Sequence, residues 1–398
     1  METKKKGLLE KIKNIKLKAG LAVFAVMNLP VTQVFAAGND LSFLTDGSKG
    51  NGAFDKATKA VQETGISGIT FVRTACLVGA VIAIIICGFK IAASKGSTKE
   101  DGKSGLLWAV IGIAVIVAAV SAINPRFIQM KNLITIFQQI SVTGILTMAM
   151  SMLLIGGGID LSIGNIMVLS GVVMASVIHS TGNTALAVAA GMAAGTLCGA
   201  LNGVIIAKSK CIPLIITLGT SEMFYGMALT ISGGRIMSFG GAFNAIGKTK
   251  LFQIFPIMLL VLAAMVVLSY ILMNRTKFGR RIVAIGGNEK NAFLSGINIV
   301  RYKVILYGIA GLFCSVAAII FSARIDSITA NAGAGYETSA LTAAIIGGVT
   351  FDGGKGTISG AFLGCVLMGV ISNAMNILQV ETYIQTIITG AIIVCAVV

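Results

Sequence analysis

The sequence predicts an all-α, polytopic bundle of transmembrane helices. Hydrophobic residues make up 56% of the 398 residues, charged residues only 12%, and the mean hydropathy is +0.91. A soluble domain would carry roughly 25% charged residues. Several apolar runs exceed the roughly 20 residues that a helix needs to span a bilayer. These runs do not alternate with a period of two, so they do not predict the strands of a transmembrane β-barrel.

The first 123 residues predict an export signal followed by a membrane hairpin. Residues 1–37 contain a lysine-rich start, an apolar stretch and small residues at the end, a pattern typical of a cleaved signal or of an uncleaved anchor helix. Residues 38–123 then combine a polar, glycine-rich segment with two apolar runs, Thr70–Ser94 and Gly105–Ile123. Three lysines lie between the two runs, so this turn is predicted to face the cytoplasm.

Residues 124–398 predict a dense series of crossings. The predicted segments are Leu133–Ile155, Ile163–Thr181, Thr184–Ala207, Ile212–Ser232, Leu251–Met273, Tyr302–Ala323, Thr338–Val349, Thr357–Leu378 and Tyr383–Val398. The segment Thr338–Val349 is short for a full crossing, so it is predicted to be broken or re-entrant, shielded by protein or by a water-filled cavity. Glycines spaced four residues apart predict close helix packing; they are Gly191, Gly195, Gly199 and Gly203, then Gly356, Gly360 and Gly364.

The charge distribution predicts which side of the membrane each loop faces. The formal net charge is +16, and the loop 274–301 carries six basic residues against one acid, Glu289. Basic residues accumulate in cytoplasmic loops, so this loop is predicted to lie inside the cell. Arg235, Lys248 and Lys250 fall on the predicted outer side and oppose the bias weakly. No basic surface interleaved with aromatic residues appears, which argues against nucleic-acid binding.

The residue types that carry catalysis or metal binding are poorly represented. The seven cysteines show neither metal-ligand nor CxxC spacing, and His179 is the single histidine. We therefore expect no metal site, no cofactor and no enzymatic activity in this chain. An ion-driven transporter would need ionisable residues in several spans, and only Asp160, Glu222 and a few charges at span edges occur.

An acidic residue after the first of these spans marks a candidate functional segment. Asp160 stands in the stretch Gly156-Gly157-Gly158-Ile159-Asp160-Leu161-Ser162-Ile163-Gly164. The glycines predict a helix break at membrane depth. Asp160 could cap a helix that starts near Leu161, line a transport pathway, or do both.

Two further stretches lie at predicted cytoplasmic or broken positions. The first runs from Thr276 to Ile297 and is basic, amphipathic and interrupted by glycines, so it is either an ordinary cytosolic loop or a short helix that docks on a cytosolic partner. The second joins Gly335-Tyr336-Glu337 to a glycine-rich run that contains Lys355. A phosphate-binding loop needs Ser or Thr after its Gly-Lys pair. Gly356 stands there instead, so nucleotide binding is not predicted.

These stretches resemble the ribose-type ABC permease family of bacterial sugar importers. Asn124-Pro125-Arg126-Phe127 and Asn373-Ala374-Met375-Asn376-Ile377-Leu378 add to the resemblance, which covers residues 124–398. It implies a multi-pass permease in the bacterial inner membrane that pairs with a second permease copy, two cytosolic ATPase domains and a periplasmic or lipid-anchored sugar-binding protein. It also implies a segment that couples to the ATPase, and its residues would be Gly286, Gly287, Asn288, Glu289, Ala292, Ser295 and Gly296.

The sequence departs from this family in two respects. Phe293 stands where a small residue is usual, and Thr338-Ser339 replace a more usual Leu-Asp or Leu-Asn pair. The first 120 residues resemble instead the small pilin subunits of conjugation and type IV secretion systems. We therefore expect a fusion or chimera whose seam lies in Gly105–Ile123 and whose carboxyl end, inside an apolar run, is truncated. A structural role in a secretion system is the alternative function.

A sugar is polar, so its path through the membrane needs polar side chains or a wide aqueous cavity. The candidate pathway residues are Asp160, Ser162, Asn165, Thr217, Thr220, Glu222 and Asn376. Glu222 stands in the middle of a span, where an acid indicates function unless a neighbouring hydroxyl satisfies it.

Overall fold

The computed structural model describes most of residues 112–121 and residues 124–397, with gaps at 210 and 252–254. Residues 112–114, 116–118 and 120–121 are helical, and Ile116 and Val120 are buried. The predicted export signal and most of the predicted hairpin lie outside the described residues.

Between residues 124 and 397 the described chain forms twelve α-helices. They are α1 Met130–Ile155, α2 Ile163–Thr181, α3 Thr184–Ser209, α4 Pro213–Ser232, α5 Asn244–Lys248, α6 Ile257–Arg275, α7 Lys277–Gly287, α8 Glu289–Leu294, α9 Ile299–Ile325, α10 Tyr336–Ile346, α11 Ile358–Ile377 and α12 Thr382–Val397. Seven of these described helices, α1 to α4, α6, α9 and α11, are long and apolar enough to cross a membrane. The predicted polytopic helical bundle is therefore confirmed.

The non-helical elements are short. Two 3₁₀ turns cover Pro125–Ile128 and Ala330–Gly333. Four two-residue strands form two antiparallel pairs: β1 Met237–Ser238 with β4 Ser327–Ile328, and β2 Lys250–Leu251 with β3 Phe255–Pro256. The second pair explains why α6 begins at Ile257 and not at the predicted Leu251. The chain first forms this strand pair, and Pro256 then occupies the N-cap position of α6.

The predicted broken crossing is confirmed, and the break precedes the helix. After α9 the chain continues through β4 and the second 3₁₀ turn along α2 before α10 begins. An added Cβ at Gly171 would meet Ile328, and one at Gly164 would meet the Gly333 carbonyl. At 11 residues, α10 would extend only about 17 Å, roughly half of the hydrocarbon core.

Helices α3 and α9 make the most extensive helix–helix contact in the described part of the chain, and glycines make it possible. Added Cβ atoms at Gly195, Gly199 and Gly203 would all come closer than 3.0 Å to atoms of α9. The first predicted glycine stripe is thus confirmed as a packing surface. In the second stripe Gly364 packs against α10 and Gly360 packs against Gly347 just after it, whereas Gly356 lies in the loop before α11.

Gly311→Ala is expected to destabilise the bundle. Its Cβ would come closer than 3.0 Å to the backbone carbonyl of Gly195, which cannot move independently of α3. Overpacking of this kind costs about 1–3 kcal/mol, so the melting temperature in detergent should fall by roughly 2–10 °C. Gly308→Ala on the same helix is the control, because its nearest neighbour would be 3.7 Å away. Equal melting temperatures for the two variants would contradict this packing.

Candidate functional site

A buried carboxylate lies where the chain turns from α1 into α2. Asp160 has no exposed surface, and its Oδ1 accepts hydrogen bonds from the Ser162 backbone N–H at 2.8 Å and from the Ser162 hydroxyl at 2.5 Å. The Asn202 amide donates to Asp160 Oδ2 at 3.2 Å and to Ser162 Oγ at 2.8 Å. Since a buried polar group is costly unless it is hydrogen-bonded, these neutral donors stabilise the carboxylate.

Residues 156–162 enter the bundle and do not simply cross its surface. Asn202, which binds Asp160, lies seven residues before the end of α3 at Ser209, about 10 Å along the helix axis. Two other helices hold the segment in place. Thr217 Oγ1 on α4 accepts from the Leu161 N–H at 3.2 Å, and the Tyr307 hydroxyl on α9 donates to the Ile159 carbonyl at 3.0 Å.

The predicted helix cap at Asp160 is wrong. Helix α2 begins at Ile163, and Ser162 occupies the N-cap position without a side-chain capping bond. The Asp160 carboxylate instead accepts from the N–H two residues ahead, as an Asx-turn does. The carboxylate therefore closes the turn before the helix and ties that turn to α3.

The stretch from Thr276 to Ile297 folds as two short helices, α7 and α8. The Thr276 hydroxyl accepts from Gly279 N–H at the start of α7, and the Asn288 side chain accepts from Asn291 N–H at the start of α8. Ala292 is buried, so this side of α8 packs against the rest of the protein. The other predicted coupling residues are half-buried or exposed; they are Gly286, Gly287, Asn288, Glu289, Ser295 and Gly296.

Side chains attach these two helices to the start of α9. Arg281 lies over the Tyr302 ring, 5.3 Å from its centre, and donates to its hydroxyl. The Phe278 ring lies 5.8 Å from the Tyr302 ring. Glu289 on α8 forms a salt bridge with Lys303 at 2.8 Å. A displacement of α7 and α8 would therefore also displace the start of α9.

Four glycines, Gly157, Gly286, Gly353 and Gly354, bring three segments into backbone contact, and we call them the glycine joint. An added Cβ at Gly286 would come closer than 3.0 Å to the Ile155 carbonyl and 2.7 Å from Gly354 N. One at Gly353 would lie 2.6 Å from Gly286 O and 2.8 Å from Gly157 Cα. Gly354 N–H donates to the Ile155 carbonyl at 2.8 Å. The end of α7 thus touches the loops that follow α1 and α10.

The structure distributes the predicted pathway residues among different environments. Ser162 and Thr217 are buried with Asp160, and Thr220 is 5% exposed one turn along α4. The Asn165 amide donates to the Ser221 hydroxyl at 2.8 Å. The remaining two side chains are exposed: Glu222 on α4, and Asn376 on α11, which accepts from Gln385 Nε2 at 2.9 Å.

Comparison with known proteins identifies the family. Residues 132–397 match the family described as the permease component of the branched-chain amino acid transport system. This match covers well over half of the chain. The chain belongs to this permease family.

Individual relatives of this permease are sugar importers by name. It is 35% identical over 300 residues to the ribose import permease protein RbsC of Bacillus subtilis, covering 75% of this chain and 93% of the relative. It is 35% identical to the D-allose transport system permease protein AlsC of Escherichia coli, over 76% and 95% of the two chains. The L-arabinose transport system permease protein AraH of Escherichia coli is 34% identical, over 76% and 94%. No solved structure shows a significant match.

These matches confirm the resemblance to ribose-type permeases and a multi-pass protein of the bacterial inner membrane. They do not support the alternative of a pilin as the function of the chain.

Sequence reasoning about this permease missed several residues of the site. Asn202 and Tyr307 bind the Asp160 segment from positions 42 and 148 residues away from their partners. Gly157 stood in the motif that predicts a helix break, but no local pattern predicted its contact with Gly286 and Gly353. A polar Asn202 within the glycine stripe of α3 was the one sequence feature that could have indicated a buried partner.

Proposed function

We propose that this permease is the membrane subunit of an ATP-driven importer of monosaccharides. Two copies would form the pathway, a cytosolic ATP-binding subunit would hydrolyse ATP, and an external sugar-binding protein would deliver the solute. The names of the relatives, which transport ribose, allose and arabinose, support a monosaccharide as the solute. The chain itself would need no cofactor and would perform no chemistry on the sugar.

The observation that carries this proposal is the attachment of an exposed helix pair to the membrane loops. Phe293 is 67% exposed and Leu294 is 74% exposed at the end of α8. Exposed apolar side chains surrounded by polar ones are typical of a protein interface. Through the glycine joint, a partner that binds α8 would act on the Asp160 segment and on the loop between α10 and α11.

The homodimer interface would involve α4. Several large apolar side chains of this helix are exposed, namely Leu214, Ile215, Leu218, Met223, Met227 and Ile231. Lipid or a second copy would cover these side chains. The exposed Glu222 would face a pathway between the two copies. The buried Asp160, Ser162 and Thr217 would then support the pathway wall instead of contacting the sugar.

The proposal is tested by reconstitution. The permease is purified with a candidate ATP-binding subunit and a candidate sugar-binding protein, and uptake of labelled ribose, allose and arabinose into proteoliposomes is measured. ATP-dependent uptake of at least one sugar is expected. A complex that hydrolyses ATP but accumulates none of the three sugars would contradict a monosaccharide importer.

Glu289→Arg is expected to reduce uptake about fivefold, since a charge at the edge of an interface is worth about 1 kcal/mol. The variant also breaks the salt bridge with Lys303. The double variant Glu289→Arg, Lys303→Glu restores that pair with its charges exchanged. Uptake that stays low in the double variant indicates a lost contact with the ATPase. Full recovery in the double variant would mean that Glu289 acts only within the permease.

We also propose that residues 1–37, 38–123 and 124–398 are three separate units, the first two of them secretory and pilin-like in origin. The family match begins at residue 132, but the relatives match 75–76% of the 398 residues, so their similarity reaches back to about residue 100 and supports a boundary before Gly105 instead of at 124. Long-read sequencing across codons 100–130 tests this. An intervening stop codon or a second start would identify two genes, whereas a continuous reading frame would exclude an assembly artefact.

A further inference from the structure

A group of polar side chains outside the Asp160 segment lies on the surface of the bundle at membrane depth. Its members are Tyr225 on α4, Asn331 in the second 3₁₀ turn, and Glu337 in the first turn of α10. The Tyr225 hydroxyl donates to Asn331 Oδ1 at 2.7 Å, across 106 residues of sequence. We call these three residues the polar patch. None of them was among the pathway residues predicted from sequence.

The helices fix the depth of the patch. Asn331 lies between Ile328, which meets Gly171, and Gly333, which meets Gly164. Gly171 and Gly164 are about 15 and 26 Å from the carboxyl end of α2 at Thr181, at 1.5 Å per residue. Tyr225 is about 18 Å from the start of α4 and about 10 Å from its end. All of these positions fall within a hydrocarbon core about 30 Å thick.

Glu337 belongs to the same surface. Its Oε2 would lie 2.8 Å from a Cβ added at Gly164, and its Oε1 accepts from the Gly335 N–H at 3.1 Å. Gly164 precedes Asn165, which binds Ser221 on α4, so α2, α4 and α10 converge here. Among the described residues the one salt bridge joins Lys303 and Glu289, so Glu337 forms no salt bridge with them.

The exposed polar groups of the patch cannot face lipid. Asn331 and the adjacent Thr338 are exposed, while Tyr225 and Glu337 are half-buried. An unpaired carboxylate and an exposed amide facing lipid would be strongly unfavourable. The non-helical backbone of residues 326–335 would be unfavourable there too, because irregular backbone at membrane depth occurs only where protein shields it or a water-filled cavity contacts it. The surface that carries the patch must therefore be covered by protein or face an aqueous cavity in the assembled transporter.

We propose that Tyr225, Asn331 and Glu337 line the transport pathway and bind the hydroxyl groups of the sugar as it passes. The proposal rests on the proposed function and adds the residues that contact the solute. A carboxylate accepts from sugar hydroxyls, an amide both donates and accepts, and a tyrosine ring packs against the apolar face of a sugar. The broken crossing brings the amide and the carboxylate to membrane depth within six residues of each other.

The first test measures uptake of ribose, allose and arabinose in the reconstituted importer. Glu337→Gln and Asn331→Ala are each expected to reduce uptake about tenfold, as the loss of one hydrogen bond to a charged or desolvated group would. Thr230→Val is the control, because Thr230 is an exposed residue of α4 whose hydroxyl binds the Gly226 carbonyl of its own helix. Melting temperatures should stay at the value of the unchanged protein for all three variants.

The second test measures exposure to water directly. In a chain whose seven cysteines are replaced by alanine, Asn331→Cys should react with a membrane-impermeant, charged thiol reagent, and a transported sugar should slow the reaction. Leu197→Cys, at an exposed apolar position of α3, should not react. Disulfide formation between two copies at position 331 without reaction with the reagent would show a dimer contact and overturn the proposal.

The two tests separate the failure of this inference from that of the proposed function. If the importer is active and both patch variants show normal uptake, the patch does not bind the sugar, whereas the proposed function as a monosaccharide importer is unaffected. The unchanged protein could instead transport none of the three sugars while Asn331→Cys reacts from the aqueous side. That result would contradict a monosaccharide as the solute, but it would still support the patch as a surface of the pathway.

Discussion

Gly286→Ala is expected to disconnect the cytosolic helices from the membrane loops and so to lower uptake between about 5-fold and 150-fold, the usual range of coupling free energies between sites. The added Cβ would collide with the Ile155 carbonyl and lie 2.7 Å from Gly354 N. Both are backbone atoms, so the clash is relieved only when α7 separates from the two loops. The binding protein should then no longer stimulate ATP hydrolysis, although the ATPase would still turn over.

The neighbouring glycine supplies the control for this experiment. A Cβ added at Gly287 would meet no atom within 4 Å, so Gly287→Ala keeps the joint intact and should lower uptake far less than Gly286→Ala, although Gly287 is also a predicted coupling residue. Both variants carry the same change in helix propensity at the end of α7. If Gly286→Ala retains stimulated ATP hydrolysis and uptake, the glycine joint does not transmit the motion.

Asp160→Ala is expected to cause the largest loss of stability. The variant removes the acceptor for the Ser162 N–H and hydroxyl and for the Asn202 amide in a fully buried region. Unsatisfied buried donors cost about 1–3 kcal/mol each, and breaking a buried charged network costs about 3–5 kcal/mol. We expect the melting temperature in detergent to fall by roughly 5–10 °C, with a lower yield of membrane-inserted protein.

A conservative pair of variants tests whether the hydrogen bonds or the shape of Asp160 matter. Asp160→Asn keeps an acceptor for Ser162 but turns an amide toward the Asn202 amide, so a smaller loss is expected. The exchange Asp160→Asn, Asn202→Asp restores a donor facing an acceptor and should recover part of the stability. A melting temperature of Asp160→Ala equal to that of the unchanged protein would show that the cluster is not structural.

The crossings could be predicted closely from the sequence because long apolar runs have few alternatives in a bilayer. The prediction of Ile163–Thr181 matches α2 at both ends, and the predicted Thr357–Leu378 differs from α11 by one residue at each end. Helix ends set by polar loops were less predictable. The start of α6 moved to Ile257 because a short strand pair and Pro256 precede it.

Contacts between distant segments could not be derived from the sequence. The Asp160 motif was visible, yet its partner Asn202 lies within a glycine-rich helix whose pattern indicates only close packing. Likewise Tyr225 and Asn331 meet only because the chain re-enters beside α2. Local patterns specify which segments enter the membrane, whereas the approach of one backbone to another depends on the assembled bundle.

The interrupted path between α9 and α10 has a consequence for biogenesis. A translocon releases segments into lipid according to their length and apolarity, and residues 326–346 combine ten non-helical residues with a helix of only 11. This stretch would not partition into lipid alone. Because it follows the groove that Gly164 and Gly171 open on α2, its insertion must wait until the earlier helices have assembled around that groove.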